Sequence, residues 1–261
     1  MLSFWEQNSF LNFDFIIVGS GILGLSTACE IKERNPSRTV LVIEKGIFPT
    51  GASTKNAGFA CFGSLTEILS DMNRIGEHET IQLVEKRYEG INLLRKRLGD
   101  DNIGFLNLGG YELIDEKHLV SLEKIDYVND MLKAIFNNDT FEIKNESISD
   151  FGFNDSIVKS LVYSRYESQI DTGKMMSSLI DYAASLGVRI INGCKVEAIG
   201  EKENFVQVTA RSGNEKIYFK GKVTIICTNA FTNKLFDRCL SKMNLTTLRL
   251  KLNINTIQQM N

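Results

Sequence analysis

The sequence predicts an α/β fold, and three observations carry that prediction. Residues 13–18 (FDFIIV) form a short apolar run of strand formers that meets Gly19, Ser20 and Gly21 at once and passes into an amphipathic stretch over 22–34. Residues 39–43 (TVLVI) form a second such run, and runs apolar on both faces belong in parallel sheets covered by helices on both sides. Behind Gly187 come several short β segments separated by polar turns, with no Gly/Ser linker anywhere that would mark domains strung in tandem. Any two domains are therefore interleaved.

The elements follow in order. The first helix stops near Asn35, because the residue before Pro36 disfavours the α region. From Leu65 the pattern is helical, and after His78 the residues Ile81, Val84, Tyr88, Ile91, Leu94 and Leu98 recur at three- and four-residue spacing, which buries one face. Gly99 stops that helix. Residues 106–114 (LNLGGYELI) read as a strand, followed by a second long helix with Leu122, Ile125, Val128, Leu132 and Ile135 on one side. Residues 141–155 are irregular and polar, 157–163 read as a strand, and Asp171 caps a helix over 172–186. Strands are then expected at 188–191, 195–199, 205–210, 216–220 and 223–226, with Ser212, Gly213 and Asn214 at a turn. From Ser241 the chain shows neither glycine, proline nor a clear period.

Composition narrows the function classes. The chain has 261 residues, of which 43% are hydrophobic and 24% charged, values that exclude a disordered, collagenous or membrane-spanning chain. Lys and Arg number 30 against 32 Asp and Glu, so no net field draws nucleic acid or an anionic membrane. A small-molecule partner is expected, without nucleic acid and without stable membrane insertion; oligomeric state is not legible. The cysteines Cys29, Cys61, Cys194, Cys227 and Cys239 are scattered without a CxxC pair, so a reducing compartment is expected and a zinc site is not. The only histidines, His78 and His118, sit in polar, helix-like surroundings and read as surface residues, so no metal is expected. The first 15 residues carry Glu6 and Asp14 and lack the plan of a signal peptide, and the apolar run at 15–18 falls far short of the roughly 20 residues of a membrane helix. A cytoplasmic location is expected.

The chemistry starts at the first turn. Gly19, Ser20, Gly21, Ile22, Leu23 and Gly24 spell GSGILG, a GxGxxG match between a strand and a helix. In a Rossmann-like domain the first glycine allows the tight turn, the second lets the backbone approach a pyrophosphate, and the third lets helix and strand pack closely. Amides at the helix N-terminus then hold the phosphates. Glu44 ends the second strand 20 residues beyond Gly24, where an acid accepting hydrogen bonds from ribose hydroxyls is expected. An acid there favours an unphosphorylated adenosine ribose, although Lys45 adjoins it. At this point both NAD and FAD fit.

Residues 51–58 (GASTKNAG) decide between them. With the fingerprint, this segment resembles the D-amino-acid-oxidase-like family of FAD-dependent oxidoreductases, which includes glycine, sarcosine and D-amino-acid oxidases and dehydrogenases. The resemblance implies that Ser53, Thr54, Asn56, Ala57 and Gly58 line the path of the pyrophosphate and ribityl chain towards the flavin. Small residues there permit close backbone approach, and Ser53, Thr54 and Asn56 supply hydrogen-bonding groups. Residues 169–199 are similar to the family's helix, strand and KVxxI unit, which implies that the backbone at Val196 touches the adenine end. Residues 223–231 (VTIICTNAF) are similar to a later strand whose turn, here Thr228 and Asn229, lies beside the cofactor. The match covers residue 13 to about residue 237, with 65–155 alike only in general plan.

The resemblance implies a discontinuous FAD-binding domain over 13–80 and 165–237, interleaved with an incomplete α+β substrate domain that includes 81–164, and an atypical tail at 238–261. It further implies oxidation of a C–N bond in an amine or amino acid by hydride transfer to flavin, with no catalytic residue assigned. Two alternatives stand: an NAD-linked dehydrogenase, and a flavin-binding but catalytically incomplete fragment. Pro36 and Pro49 are the only prolines, against an average usage near 5%. Family members commonly place a proline and a glycine just after the segment corresponding to 223–231. The expectation is therefore that residues from about 241 are a non-native or frameshifted ending, and that the chain corresponds to roughly the first two-thirds of such an enzyme. Three further positions carry two readings each. Cys61 is either a covalent flavin attachment point or an inert buried thiol. Gly109, Gly110 and Tyr111 either face a substrate cavity or belong to a core strand. Arg165 and Tyr166 either pair with a substrate carboxylate or form a solvent-exposed pair.

Overall fold

The computed structural model describes residues 3–233 and 235; the expected tail at 238–261 and Cys239 lie outside the described residues. The described chain divides into two compact units, one drawn from residues up to Thr54 and from Leu179 onward, the other Lys55–Ser178. In chain order the first unit starts with α1 (Phe4–Phe10), β1 (Asn12–Val18), α2 (Ile22–Arg34) and β2 (Val40–Ile43). The second contains β3 (Phe59–Ala60), α3 (Leu65–Ile75), α4 (Glu77–Leu98), α5 (Asp100–Ile103), β4 (Gly110–Ile114), α6 (Ile125–Leu132), β5 (Glu142–Ile143), α7 (Ser147–Asp150), β6 (Ser160–Ser164) and β7 (Ser168–Gln169). After α8 (Thr172–Ser185) the chain continues in β8 (Arg189–Ile191), β9 (Lys195–Glu201), β10 (Val206–Ser212) and β11 (Glu215–Ile226).

The first unit is built on a six-stranded sheet in the order β8-β2-β1-β11-β10-β9. Strands β8, β2, β1 and the second half of β11 run parallel, while β10 pairs antiparallel with both β11 and β9. The parallel strands are predominantly apolar towards their C-terminal ends, and all four residues of β2 are apolar and buried. Phe13, Ile16, Leu41 and Ile43 from these strands share one core with Val196, Val208 and Phe219 from the antiparallel ones. The pair of strands expected at 216–220 and 223–226 is a single strand. Its first half pairs with β10 and its second half with β1, so the chain changes partner without changing direction and needs no turn at Lys220 to Lys222.

The second unit has a three-stranded antiparallel sheet, β4-β6-β5, and a two-stranded one, β3-β7. Its core gathers Phe62, Ile68, Val84, Val128, Phe136 and Val162, so the apolar faces predicted for the helices are the buried ones. Three sequence expectations change here. The strand expected at 106–114 begins only at Gly110; Gly109 lies at φ +74, which interrupts extended backbone, and Leu106 forms just an isolated bridge to Gln169. The long helix expected through 122–135 is a 3-10 segment, Glu116–Lys124, followed by α6, with Lys124 at φ −104 and ψ 6 out of helical geometry between them. The strand expected at 157–163 starts at Ser160, because Ile157 and Val158 donate to the Asn154 carbonyl in a turn.

Candidate functional site

The glycine turn of the first unit is fixed by backbone bonds on both sides. Gly19 N–H donates to the Ile43 carbonyl at 2.8 Å, and Cys227 N–H donates to the Val18 carbonyl at 2.8 Å, so the turn sits at the C-terminal ends of β1, β2 and β11. Gly19 has φ +104, and a Cβ on it would stand 2.6 Å from the Cys227 carbonyl oxygen. A Cβ on Gly24 would stand 2.0 Å from the Gly19 carbonyl oxygen, so α2 packs onto the turn as closely as backbone allows. Gly21 caps α2 without a side-chain hydrogen bond, and no acidic side chain occupies the first turn. The amide donors at this N-terminus therefore face an acceptor from outside the helix, and a pyrophosphate is such an acceptor. Ile22 and Leu23 stand exposed beside it, at 39% and 44% of their full accessibility.

Glu44 is 8% exposed and its carboxylate is already engaged: Oε2 accepts from Ser20 N–H at 3.0 Å and from the Ser20 hydroxyl at 3.1 Å, and Oε1 accepts from Gly46 N–H at 2.9 Å. A carboxylate offers about four lone-pair sites, so acceptor capacity remains for a ribose hydroxyl. Lys45 holds its ammonium 3.6 Å from the centre of the Phe231 ring. Ser53 Oγ accepts the Ile22 N–H at 3.0 Å, which ties the small-residue loop to the start of α2, and the Thr54 hydroxyl donates to the Pro49 and Gly51 carbonyls at 3.1 and 3.2 Å. Val196 is buried in β9, and β9 ends the sheet, which leaves one edge of its backbone unpaired by any described strand. The Thr228 and Thr232 hydroxyls lie 3.0 Å apart, and Asn229 adopts φ +45. In the second unit, Asn56 Oδ1 accepts the Gly58 N–H at 3.0 Å, the Gly58 carbonyl accepts from Ile170 N–H at 2.8 Å, and Ala57 is exposed.

The second unit also contains a cavity of about 210 Å³ that the sequence reading did not find. Glu67, Glu112, Ser164 and Glu167 line it together with Cys61 and Phe59. Burial pushes the Glu167 carboxyl up to about 7, helped by the charges of Glu112 and Glu67. No motif marks these acids, which are scattered over α3, β4 and the connection between β6 and β7; the only trace in the sequence is the Gly109-Gly110 pair, which clears space for neighbouring side chains. A Cβ on Gly110 would meet Glu167 Oε2 at 2.1 Å. The strand with Gly110 and Tyr111 therefore does border a cavity.

Two expectations are corrected here. Cys61 is solvent-exposed rather than buried, with its thiol pushed up by partial burial of the sulfur and by Glu167 and Glu67, which keeps it protonated. Arg165 and Tyr166 are not an exposed pair. Arg165 is exposed, 3.6 Å from Glu142, while Tyr166 is half-buried with its ring 4.4 Å from that of Phe136. Both line a small cavity of about 80 Å³ with Arg95, whose guanidinium makes two 2.8 Å bonds to Asp100. His118 is an exposed partner of Asp115 at 2.6 Å. Among the described residues no helix is long and apolar enough to cross a membrane.

Comparison with known proteins places this geometry. The chain is 25% identical over 239 residues to the "Probable oxidoreductase OrdL" of Haemophilus influenzae, an alignment covering 85% of this chain and 50% of that protein. Its fold matches glycine oxidase from Geobacillus kaustophilus with a TM-score of 0.61 at 19% identity, covering 87% of this chain and 58% of that one. It matches an L-amino acid deaminase from Proteus vulgaris with a TM-score of 0.63 at 19% identity, covering 87% and 55% respectively. The chain thus spans between half and three-fifths of the length of these relatives. The family model described as "FAD dependent oxidoreductase" (DAO) matches residues 14–252, a span that takes in the glycine turn, Glu44 and the whole second unit, and the chain belongs to that family.

Proposed function

We propose that the chain is the FAD-holding portion of an oxidoreductase acting on amines or amino acids. The observation that carries this reading is the N-terminus of α2, which has no side-chain cap from Gly21 and no acid in its first turn, beside Gly19, Gly21 and Gly24 and with Glu44 at the end of the neighbouring strand, in a chain of the FAD-dependent family. In this reading the turn and the start of α2 hold the pyrophosphate through the amides not already bonded to Ile43, Glu44 and Ser53, those of Gly21, Leu23 and Gly24, and Glu44 accepts from the ribose. Lys45 lies beside the ribose and stays on Phe231. Ser53, Thr54, Asn56, Ala57 and Gly58 border the ribityl chain. The Val196 backbone meets the adenine end, and Thr228 and Asn229 border the later turn. FAD, when bound, supplies the hydride acceptor for oxidation of a C–N bond. The protein's part is to fix register: a turn that tolerates no Cβ at Gly19 or Gly24 sets the position of one end of the cofactor. The family assignment separates this from the NAD-linked alternative.

Anaerobic mixing of the flavin-loaded chain with a panel of amines, D-amino acids and N-methyl amino acids tests the reaction class. Loss of the oxidised flavin's visible absorption with at least one of them is the expected result. Reduction by alcohols or sugars, with every amine and amino acid leaving the flavin oxidised, would contradict it.

A further inference from the structure

The acidic cavity of the second unit lacks what a carboxylate substrate requires. Gly110 opposes Ser164 and Glu112 opposes Val162 in the β4-β6 pairing, so these four positions share the sheet face that lines the cavity. Glu112 is satisfied where it stands: it accepts from Ser64 Oγ at 2.8 Å, from Thr66 N–H at 3.3 Å and from the Thr66 hydroxyl, at the start of α3. Glu67 lies 3.5 Å from Arg87. Glu167 differs from both. It lies against the bare backbone of Gly110, and neither a hydrogen bond nor a cation offsets its burial among the described residues. Ser164 is 2% exposed, and its hydroxyl has no hydrogen-bond partner among the described residues. A buried hydroxyl and a carboxylate without donors, on the walls of one cavity, are two polar groups that a ligand must complete.

Among the described residues no lysine, arginine or histidine lines the cavity, so an anion finds no counter-charge from them. Among the described residues no three acidic, histidine or cysteine side chains gather closely enough to hold a metal ion. What fits is a cation carrying its own donors and an apolar body: an ammonium supplies three N–H donors, and Phe59, Phe141 and Val162 supply apolar wall.

We propose that this cavity binds the protonated amino group of an organic amine, with Glu167 as its counter-ion and Ser164 Oγ as a hydrogen-bond acceptor, and that it takes amines without a carboxylate. Calling that amine a substrate rests on the oxidoreductase reading above; the preference for a cation rests on the cavity alone.

Calorimetric titration of the full chain with benzylamine, ethylamine and benzoate, at pH 6 and pH 8, tests the proposal. The charged and titratable groups facing Glu167 are Glu112 on β4, Glu67 on α3 with its partner Arg87 on α4, and the Cys61 thiol. Glu167 ionises near pH 7 while a simple alkylamine stays protonated across this window, so amine affinity should rise about tenfold from pH 6 to pH 8. Benzoate should not bind at either pH. Glu167→Gln, which keeps shape, should lose at least tenfold in amine affinity at pH 8 and flatten the pH dependence, with thermal unfolding confirming that the variant folds. Ser164→Ala should weaken the amine by a smaller factor. Benzoate binding as tightly as benzylamine, Glu167→Gln retaining the parent's affinity and pH dependence, or neither amine binding would overturn the proposal. Flavin uptake is followed separately by absorbance: a chain that takes up no flavin yet binds amines refutes the oxidoreductase reading and leaves the cavity's preference standing.

Discussion

The Glu44 carboxylate accepts both the backbone N–H and the hydroxyl of Ser20, at 3.0 and 3.1 Å, with Ser20 fully buried and Glu44 nearly so. The acid at the end of β2 is thus a clamp on the glycine turn as well as a candidate ribose acceptor. Replacing it removes the partners of a buried amide and a buried hydroxyl at once. Glu44→Ala should cost about 1–3 kcal/mol in the absence of cofactor, read from the urea midpoint, and Glu44→Gln less, since its amide oxygen still accepts. An unchanged midpoint for the alanine variant would mean that Ser20 does not depend on Glu44.

Gly24→Ala tests the close approach of α2 to the turn. Its Cβ would lie 2.0 Å from the Gly19 carbonyl oxygen, whereas a Cβ on Gly51 meets nothing within 4 Å. The flavin-to-protein ratio after purification should fall by more than tenfold for Gly24→Ala and stay at the parent's value for Gly51→Ala. Equal ratios for the two variants would contradict the role given to the turn.

Glu167 makes a signed prediction about stability. Its carboxyl is raised from 4.5 to about 7 in the folded chain, so the native state keeps a proton that the unfolded state has released. That contribution is present below about pH 4.5 and is lost as pH rises towards 7. Glu167→Gln removes the dependence. The variant should gain on the parent between pH 5 and pH 8 by on the order of 2 kcal/mol, measured by chemical denaturation at both values. A constant difference between the two proteins would show that Glu167 titrates normally.

Asp14 works in the opposite sense. Burial by itself pushes its carboxyl up, but the Lys222 ammonium at 2.7 Å, with the Thr39 N–H at 2.9 Å and the Thr39 hydroxyl at 3.1 Å, outweighs that and holds it at about 2. Its contribution is present above about pH 3.8 and is lost as pH falls towards 2. Asp14→Asn should therefore destabilise the chain by about 1 kcal/mol at pH 7, allowing for solvent screening, and by little at pH 2.5. A penalty that persists at pH 2.5 would assign the effect to lost packing.

The first unit was legible because its signals are local. The strand at 13–18, the turn at Gly19 to Gly24 and the strand ending at Glu44 occupy adjacent sequence, and each obeys a rule of spacing. The second unit was legible in its helices but not in its cavity. Glu67, Glu112, Ser164 and Glu167 come together only through the antiparallel pairing of β4 with β6 and the start of α3, a juxtaposition that no single-strand pattern encodes. Boundaries failed where backbone geometry overrode composition: Gly109 ended a run that looked extended, and Lys124 broke a run that looked uniformly helical. The half-burial of Tyr166 was not legible for a similar reason, since its ring packs on Phe136, 30 residues away in sequence.

The central claim is that the N-terminus of α2 and its glycine turn hold FAD. The most direct test is to unfold the purified chain, refold it with excess FAD, remove free cofactor and record the visible spectrum together with thermal unfolding in FAD and in NAD. A protein-bound flavin spectrum near one equivalent, with protection by FAD and none by NAD, is the predicted result. A colourless protein that FAD does not protect would contradict the account.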